Sequence, residues 1–227
     1  MKIKKLNCSP KFDVRVEIPC REQIYDICND IKPKIIDQVF EVEKLVDLAG
    51  NFISRRFRVD TLHAKALEVE QGELNINAFY DPEKDERGKV SIELVIVTNP
   101  SDKYIILDEE LFNLFIKHLA DSLAHELIHM RQARSRDFLN VTHRARQNTD
   151  LDESIQYLSD PDEIDAYAYN IATELRDHPN PIQKILNPKT IAIQDSANLW
   201  AYIQTFHKNL DNPVLKKLLK KIYKYLS

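Results

Sequence analysis

A chain of 227 residues, 43% apolar and 30% charged, has the material for one sizeable water-exposed domain. Its net charge of -4 argues against broad electrostatic binding to nucleic acid, and no apolar run is long enough for a membrane helix. Cys8, Cys20 and Cys28 show no C-x-x-C spacing, which excludes the usual disulfide framework and zinc ribbon, and only three glycines point to helix-rich structure.

The first five residues carry three lysines, but Leu6-Asn7-Cys8-Ser9-Pro10 supplies no apolar run behind them, so no signal peptide is expected and the setting is read as cytoplasmic. Phe12 to Ile18 alternates apolar and charged residues, the pattern of a half-buried strand. Glu22 to Asp30 predicts a short helix. Pro33 opens a longer one to Phe57, with Ile35, Ile36, Val39, Phe40, Val42, Leu45, Val46 and Leu48 on a broad apolar face. Leu74 to Tyr80 and Lys89 to Thr98 read as strands joined by the polar connection Asp81 to Gly88, hence a hairpin. The second of them becomes apolar on both faces, as a strand covered by a helix does.

Asp108 is an N-cap for the next helix, with Glu109 and Glu110 in its first turn and Arg131, Arg134 and Arg136 at its end, each charge on the favoured side of the helix dipole. Phe112, Phe115, Ile116, Leu119, Leu123, Leu127 and Met130 make its core face. His118, Ser122, His125, His129 and Gln132 make a second face. Within it stands His125-Glu126-Leu127-Ile128-His129. Residues four apart lie on one side of a helix, so both imidazoles can hold one metal ion while Glu126 sits beside them as a general base. One Zn²⁺ per chain is the expected cofactor.

Ser135 to Leu158 is polar and reads as irregular, with a short helix near Arg144. Asp160 as cap and Pro161 at the first helical position then start a helix that continues to Arg176. His178 to Pro181 ends it, and two helices follow, near Thr190 to Leu210 and Val214 to Leu226. In the last, Lys216, Lys217, Lys220, Lys221 and Lys224 oppose Leu215, Leu218, Leu219, Ile222 and Tyr223. A terminal helix docked by its apolar face with solvated lysines accounts for this pattern.

Catalytic zinc takes three protein ligands and keeps one position open. The metzincin pattern would place a histidine at position 135, which is Ser135. His143, Glu153, Glu163 and Asp165 are the remaining candidates. Glu163 is favoured because it opens the helix Glu163-Ile164-Asp165-Ala166-Tyr167-Ala168, where small Ala166 permits close helix packing. Glu163 is also the third helical residue after Asp160, where a capping-box glutamate belongs, so ligand and cap are both open. Glu153 is the second choice. His118 either lines the cleft or is a packed, hydrogen-bonded histidine. His143, Tyr157 and Tyr167 are candidates for stabilising the oxyanion of a tetrahedral intermediate.

His125-Glu126-Leu127-Ile128-His129 followed by the Glu163-x-x-Ala166 helix resembles the gluzincin branch of the zincin metallopeptidases. The stretches His125 to Gln132 and Asp160 to Ala168 are similar to peptidase-like proteins of tailed phages. The resemblance covers Ile105 to Arg176. Tyr167 stands where the thermolysin-like pattern has an Asp, which leaves Asp165 to orient the histidines. The resemblance implies a sheet above the motif helix whose edge strand pairs with an extended peptide, and Val90 to Thr98 is the candidate strand. The expectation is an α+β fold: one mostly helical zincin-like domain over 1–227 with a small antiparallel or mixed sheet packed on the motif helix. Residues 1–100 form its helix and sheet part, 101–180 the zinc-site helices and 181–227 the C-terminal helices. The expected activity is zinc-dependent hydrolysis of a peptide or protein substrate, with no nucleic acid partner and no membrane span. The sequence leaves the oligomeric state open. A zincin-fold protein that binds a partner without chemistry is the alternative, and the intact Glu126 argues against it.

Overall fold

Capping side chains set where the principal helices begin. Asp108 Oδ1 accepts from the Leu111 N–H at 2.8 Å, and α5 (Glu109–Ser135) follows. Asp160 Oδ1 accepts from the Asp162 N–H at 2.9 Å at the start of α7 (Pro161–Arg176), and Ser196 Oγ from the Leu199 N–H at 3.1 Å at the start of α9 (Ala197–Thr205). Each bond satisfies a donor that the helix itself cannot. These elements come from a computed structural model that describes residues 21–139, 151–176 and 178–227. The expected strand Phe12 to Ile18, the helix near Arg144, His143, Cys8 and Cys20 lie outside the described residues.

The described chain has an α+β architecture with small sheets. α1 (Arg21–Asn29) is followed by α2 (Lys32–Ile35), β1 (Val39–Glu41) and α3 (Val42–Phe57). The continuous helix expected from Pro33 to Phe57 is therefore broken. Asp37 adopts φ 54° and donates its N–H to the Leu107 carbonyl at 2.8 Å, and β1 then pairs antiparallel with β5 (Tyr104–Ile106). Pairing with a strand some 65 residues away wins over the local helical pattern.

The main sheet has three strands in the order β2 (Asp60–Lys65), β4 (Ile92–Thr98), β3 (Leu74–Tyr80). The β3–β4 hairpin is antiparallel as expected, with Ile76 opposite Ile96, and its connection contains the short helix α4 (Pro82–Glu86). β2 was not expected. It joins β4 in parallel and packs on α3, where Thr61 comes so close to Gly50 that a Cβ there would lie 2.9 Å from its hydroxyl. The sheet is thus mixed, and Val90 to Thr98 is not its edge. β4 lies in the centre, which explains why its later residues are apolar on both faces, and β3, which packs against α5, is an edge strand among the described residues.

A helix, α6 (Leu151–Leu158), occupies part of the stretch expected to be irregular. Pro181 begins a short helix, α8 (Pro181–Leu186), and a 3-10 turn at Pro188–Thr190 precedes α9, so the helix expected over Thr190 to Leu210 is shorter. α10 (Pro213–Leu226) buries Leu215, Leu218 and Ile222 and exposes Lys216, Lys217, Lys220 and Lys224, as its pattern predicts, whereas Tyr223 is exposed and Lys221 is half-buried.

Two hydrophobic cores result. The first joins α1, α3, the sheet and the apolar face of α5, from Ile24 to Met130. The second is helical and runs from Leu158 to Ile222. All seven residues assigned to the core face of α5 are buried in the first. α5 and α7 pack across the junction, where Asn170 Nδ2 donates to the Asp121 carbonyl at 3.2 Å. Among the described residues no helix is long and apolar enough to cross a membrane.

Candidate metal centre

The two faces read from the sequence of α5 point into different surroundings. One fills the first core. The other, with His118, Ser122, His125 and His129, lines a cleft of about 950 Å³ whose far wall includes Tyr157, Glu163, Tyr167 and Asn170, and whose rim is β3.

At the centre of the cleft, His125 Nε2 and His129 Nε2 lie 3.0 Å apart. Glu163 turns its carboxylate onto both, with Oε2 at 3.2 Å from His125 and Oε1 at 3.3 Å from His129. Donors held about 2.0–2.1 Å from a tetrahedral ion are separated by roughly 3.3 Å. The three residues therefore have the spacing of a His-His-Glu metal-ligand set, and all three offer ligand atoms within 4.8 Å of one another. Glu163 is third in its helix, where a capping box would use it, but the cap bond belongs to Asp160 and the Glu163 carboxylate faces the histidines. Glu153 is exposed on α6 and stands outside this cluster.

The charges fit the same arrangement. Burial alone would raise the Glu163 carboxyl, but hydrogen bonds from His125 and His129 outweigh it and hold the group at about 2. Burial alone would lower His129, and the hydrogen bond and charge of Glu163 instead lift it to about 9. The Glu163 carboxylate and the His129 imidazole, held together in a buried place, each favour the charged form of the other. Glu126 lies beside them. Burial pushes its carboxyl above the usual range, opposed by the neighbouring histidines and by the Tyr80 backbone N–H, which donates to it. A carboxylate made more basic while kept within reach of the ligands has the property that a general base requires.

Tyr80 ends β3, and its hydroxyl donates to Asp85 at 2.9 Å. Asp85 is buried and takes two further bonds from Arg134 of α5, at 2.8 and 2.6 Å. This pair ties the end of the edge strand to the motif helix, and so holds the N–H that Glu126 accepts. Nothing in the local sequence signalled it, because Asp85 reads as one of several acids in a polar turn.

The histidines are steadied differently from the expectation. Asp165 does not reach them. It faces α10, where Lys221 pairs with it and the Tyr225 hydroxyl donates to it at 3.2 Å. Two residues along a helix turn a side chain through roughly 200°, which places Asp165 away from Glu163. Gln132 takes the part instead, with Oε1 2.9 Å from His129 Nδ1. Tyr167 packs edge-on against the His125 ring, centroids 4.7 Å apart, and continues through Tyr157 and Tyr202 as an aromatic row. Tyr157 also hydrogen-bonds Glu163, and burial pushes its hydroxyl well above the usual tyrosine range, with Tyr167 and Glu163 adding to the shift. Its proton is thus retained at neutral pH. His118 lines the cleft, and among the described residues its buried Nδ1 has no hydrogen-bond partner. Burial, with Lys117 adjacent, lowers its pKa.

Comparison of the chain with protein-family models, with curated proteins and with solved structures finds no match.

Proposed function

We propose that the protein is a zinc-dependent metallopeptidase that hydrolyses peptide bonds with Glu126 as general base. The observation that carries this reading is the convergence of His125, His129 and Glu163 from two helices, with a desolvated carboxylate beside them in an open cleft. His125, His129 and Glu163 would hold the ion. Zinc, when bound, supplies Lewis-acid activation of water and of the scissile carbonyl. Glu126 takes the proton from the attacking water and passes it to the leaving amine. Tyr157 stands on the far wall with its hydroxyl on Glu163, and it would serve the developing oxyanion only by turning its one proton away from that carboxylate. β3 is an edge strand among the described residues and lies at the rim, and an extended peptide that added to it would run past the histidines.

The test begins with metal analysis of protein never exposed to chelator, followed by cleavage of a peptide library with and without chelator. About one zinc per chain and chelator-sensitive cleavage are expected. A chain that neither contains nor takes up zinc would end the metal reading, and one that binds zinc but cleaves nothing would end the peptidase reading alone.

A further inference from the structure

We propose that Gln132 is the positioning residue of the metal set, acting on His129 and on the turn that carries Glu163 through one amide group. The proposal rests on the metal reading above. A histidine ligand commits one ring nitrogen to the metal, and the hydrogen bond made by the other nitrogen decides which one that is. Gln132 lies three residues after His129, on the same side of the helix. Its Oε1 can only accept, so at 2.9 Å it places a proton on His129 Nδ1 and leaves Nε2 as the metal-facing atom. Nε2 is the nitrogen that faces His125 and Glu163.

The orientation of the amide is fixed from its other end. Gln132 Nε2 donates to the backbone carbonyl of Asp162 at 3.1 Å. A flipped amide would set its oxygen against that carbonyl and lose that bond, and its NH₂ could bond His129 only with the ring in the tautomer that puts the proton on Nε2. Asp162 immediately precedes Glu163 in the first turn of α7. One side chain therefore fixes the ring of the second ligand and the backbone next to the third.

Arg136 supplies an internal comparison. It sits four residues further along, at the end of α5, and its guanidinium holds the Asp162 carboxylate through both terminal nitrogens. Arg136 braces the same turn of α7 but touches neither histidine. His125, by contrast, packs against the Tyr167 ring and, among the described residues, has no bond of the Gln132 kind. Of the two histidines, His129 is the one whose orientation a single amide controls.

The experiment compares Gln132→Leu, Gln132→Glu and Arg136→Met with the parent chain. Zinc affinity is read by competition with a chelator, and melting is followed on the metal-free forms. Gln132→Leu should weaken zinc by about 10–100-fold, the usual cost of an outer partner of a ligand. Gln132→Glu keeps an acceptor for His129 Nδ1 and should recover most of that affinity while losing the bond to Asp162. Arg136→Met should lower the metal-free melting temperature and leave zinc affinity close to that of the parent. In the zinc-loaded parent, the imidazole nitrogen spectrum should show a proton on His129 Nδ1. Parent-like affinity in Gln132→Leu, or an equal loss in Arg136→Met, would reduce Gln132 to a helix brace and overturn the proposal. A parent chain that takes up no zinc fails before any variant is compared, and that failure belongs to the metal reading.

Discussion

The half of the molecule that carries the two histidines is built on a sheet, and the half that carries Glu163 is built of helices alone. In the first, α5 lies under β3 with its apolar face in a core of strands and helices. In the second, α7 is surrounded by α6, α9 and α10. The candidate metal centre belongs to neither core. Two of its ligands rise from one and the third from the other, so an ion held there would bind the halves to each other as well as serve chemistry. The junction is held by Asn170 to Asp121, Gln132 to Asp162, Arg136 to Asp162 and Glu163 to both histidines.

The largest expected effect falls wholly on the first half. Glu126→Gln keeps the shape of the side chain and removes its basicity, so turnover should fall by about 10²–10⁴-fold while zinc stays bound. Unchanged turnover in the zinc-loaded variant would place the base elsewhere.

The second prediction crosses the junction. Glu163→Ala should weaken zinc by more than the about 10–100-fold that an outer partner costs, because a direct ligand is lost. Asp160→Ala removes the cap bond and no carboxylate of the His-His-Glu cluster, so it should cost about 0.5–2 kcal/mol of stability and leave zinc affinity near that of the parent. Reversed outcomes in a zinc titration and a melting series would make Glu163 the structural residue of the two.

Matched truncations address the two cores directly. Leu119 and Leu218 are both fully buried, one in each. Leu119→Ala and Leu218→Ala should each cost about 2–5 kcal/mol. With zinc bound, both should lower one shared melting transition. Two separate transitions in calorimetry of the zinc-loaded protein would show that the ion does not join the halves.

A smaller, graded effect is expected from pH. His129 is held at about 9 in the metal-free site, and Glu163 at about 2, so at neutral pH an ion must displace a proton from the histidine and none from the carboxylate. Zinc affinity should therefore rise about tenfold per pH unit up to pH about 9 and then level. A flat profile between pH 7 and 9, measured by chelator competition, would contradict a charged His129. The smallest effect belongs to the far surface of the helical half. Lys217→Ala and Lys220→Ala on α10 should change stability by no more than about 0.5 kcal/mol, read from the same melts.

The sequence by itself determined what lies within one helix. The spacing of His125, Glu126 and His129, the cap at Asp108 and the seven core positions of α5 follow from helical geometry and need no distant partner. The start of α7 at Asp160 and Pro161 and the β3–β4 hairpin were legible for the same reason, since caps and turns are local. Tertiary structure decided everything that depends on pairing across distance. Val39–Glu41 left a helical pattern to pair with Tyr104–Ile106, and β2 entered beside β4 and turned the supposed edge strand into the central one. Glu163 suited a ligand, the favoured role, and a capping residue, and only the packing of α7 on α5 turned its carboxylate to the histidines. The same packing sent Asp165 to Lys221 and gave its expected task to Gln132. A helical repeat fixes which residues share a face, whereas the element that each face meets is fixed by burial and hydrogen bonding summed over the whole fold.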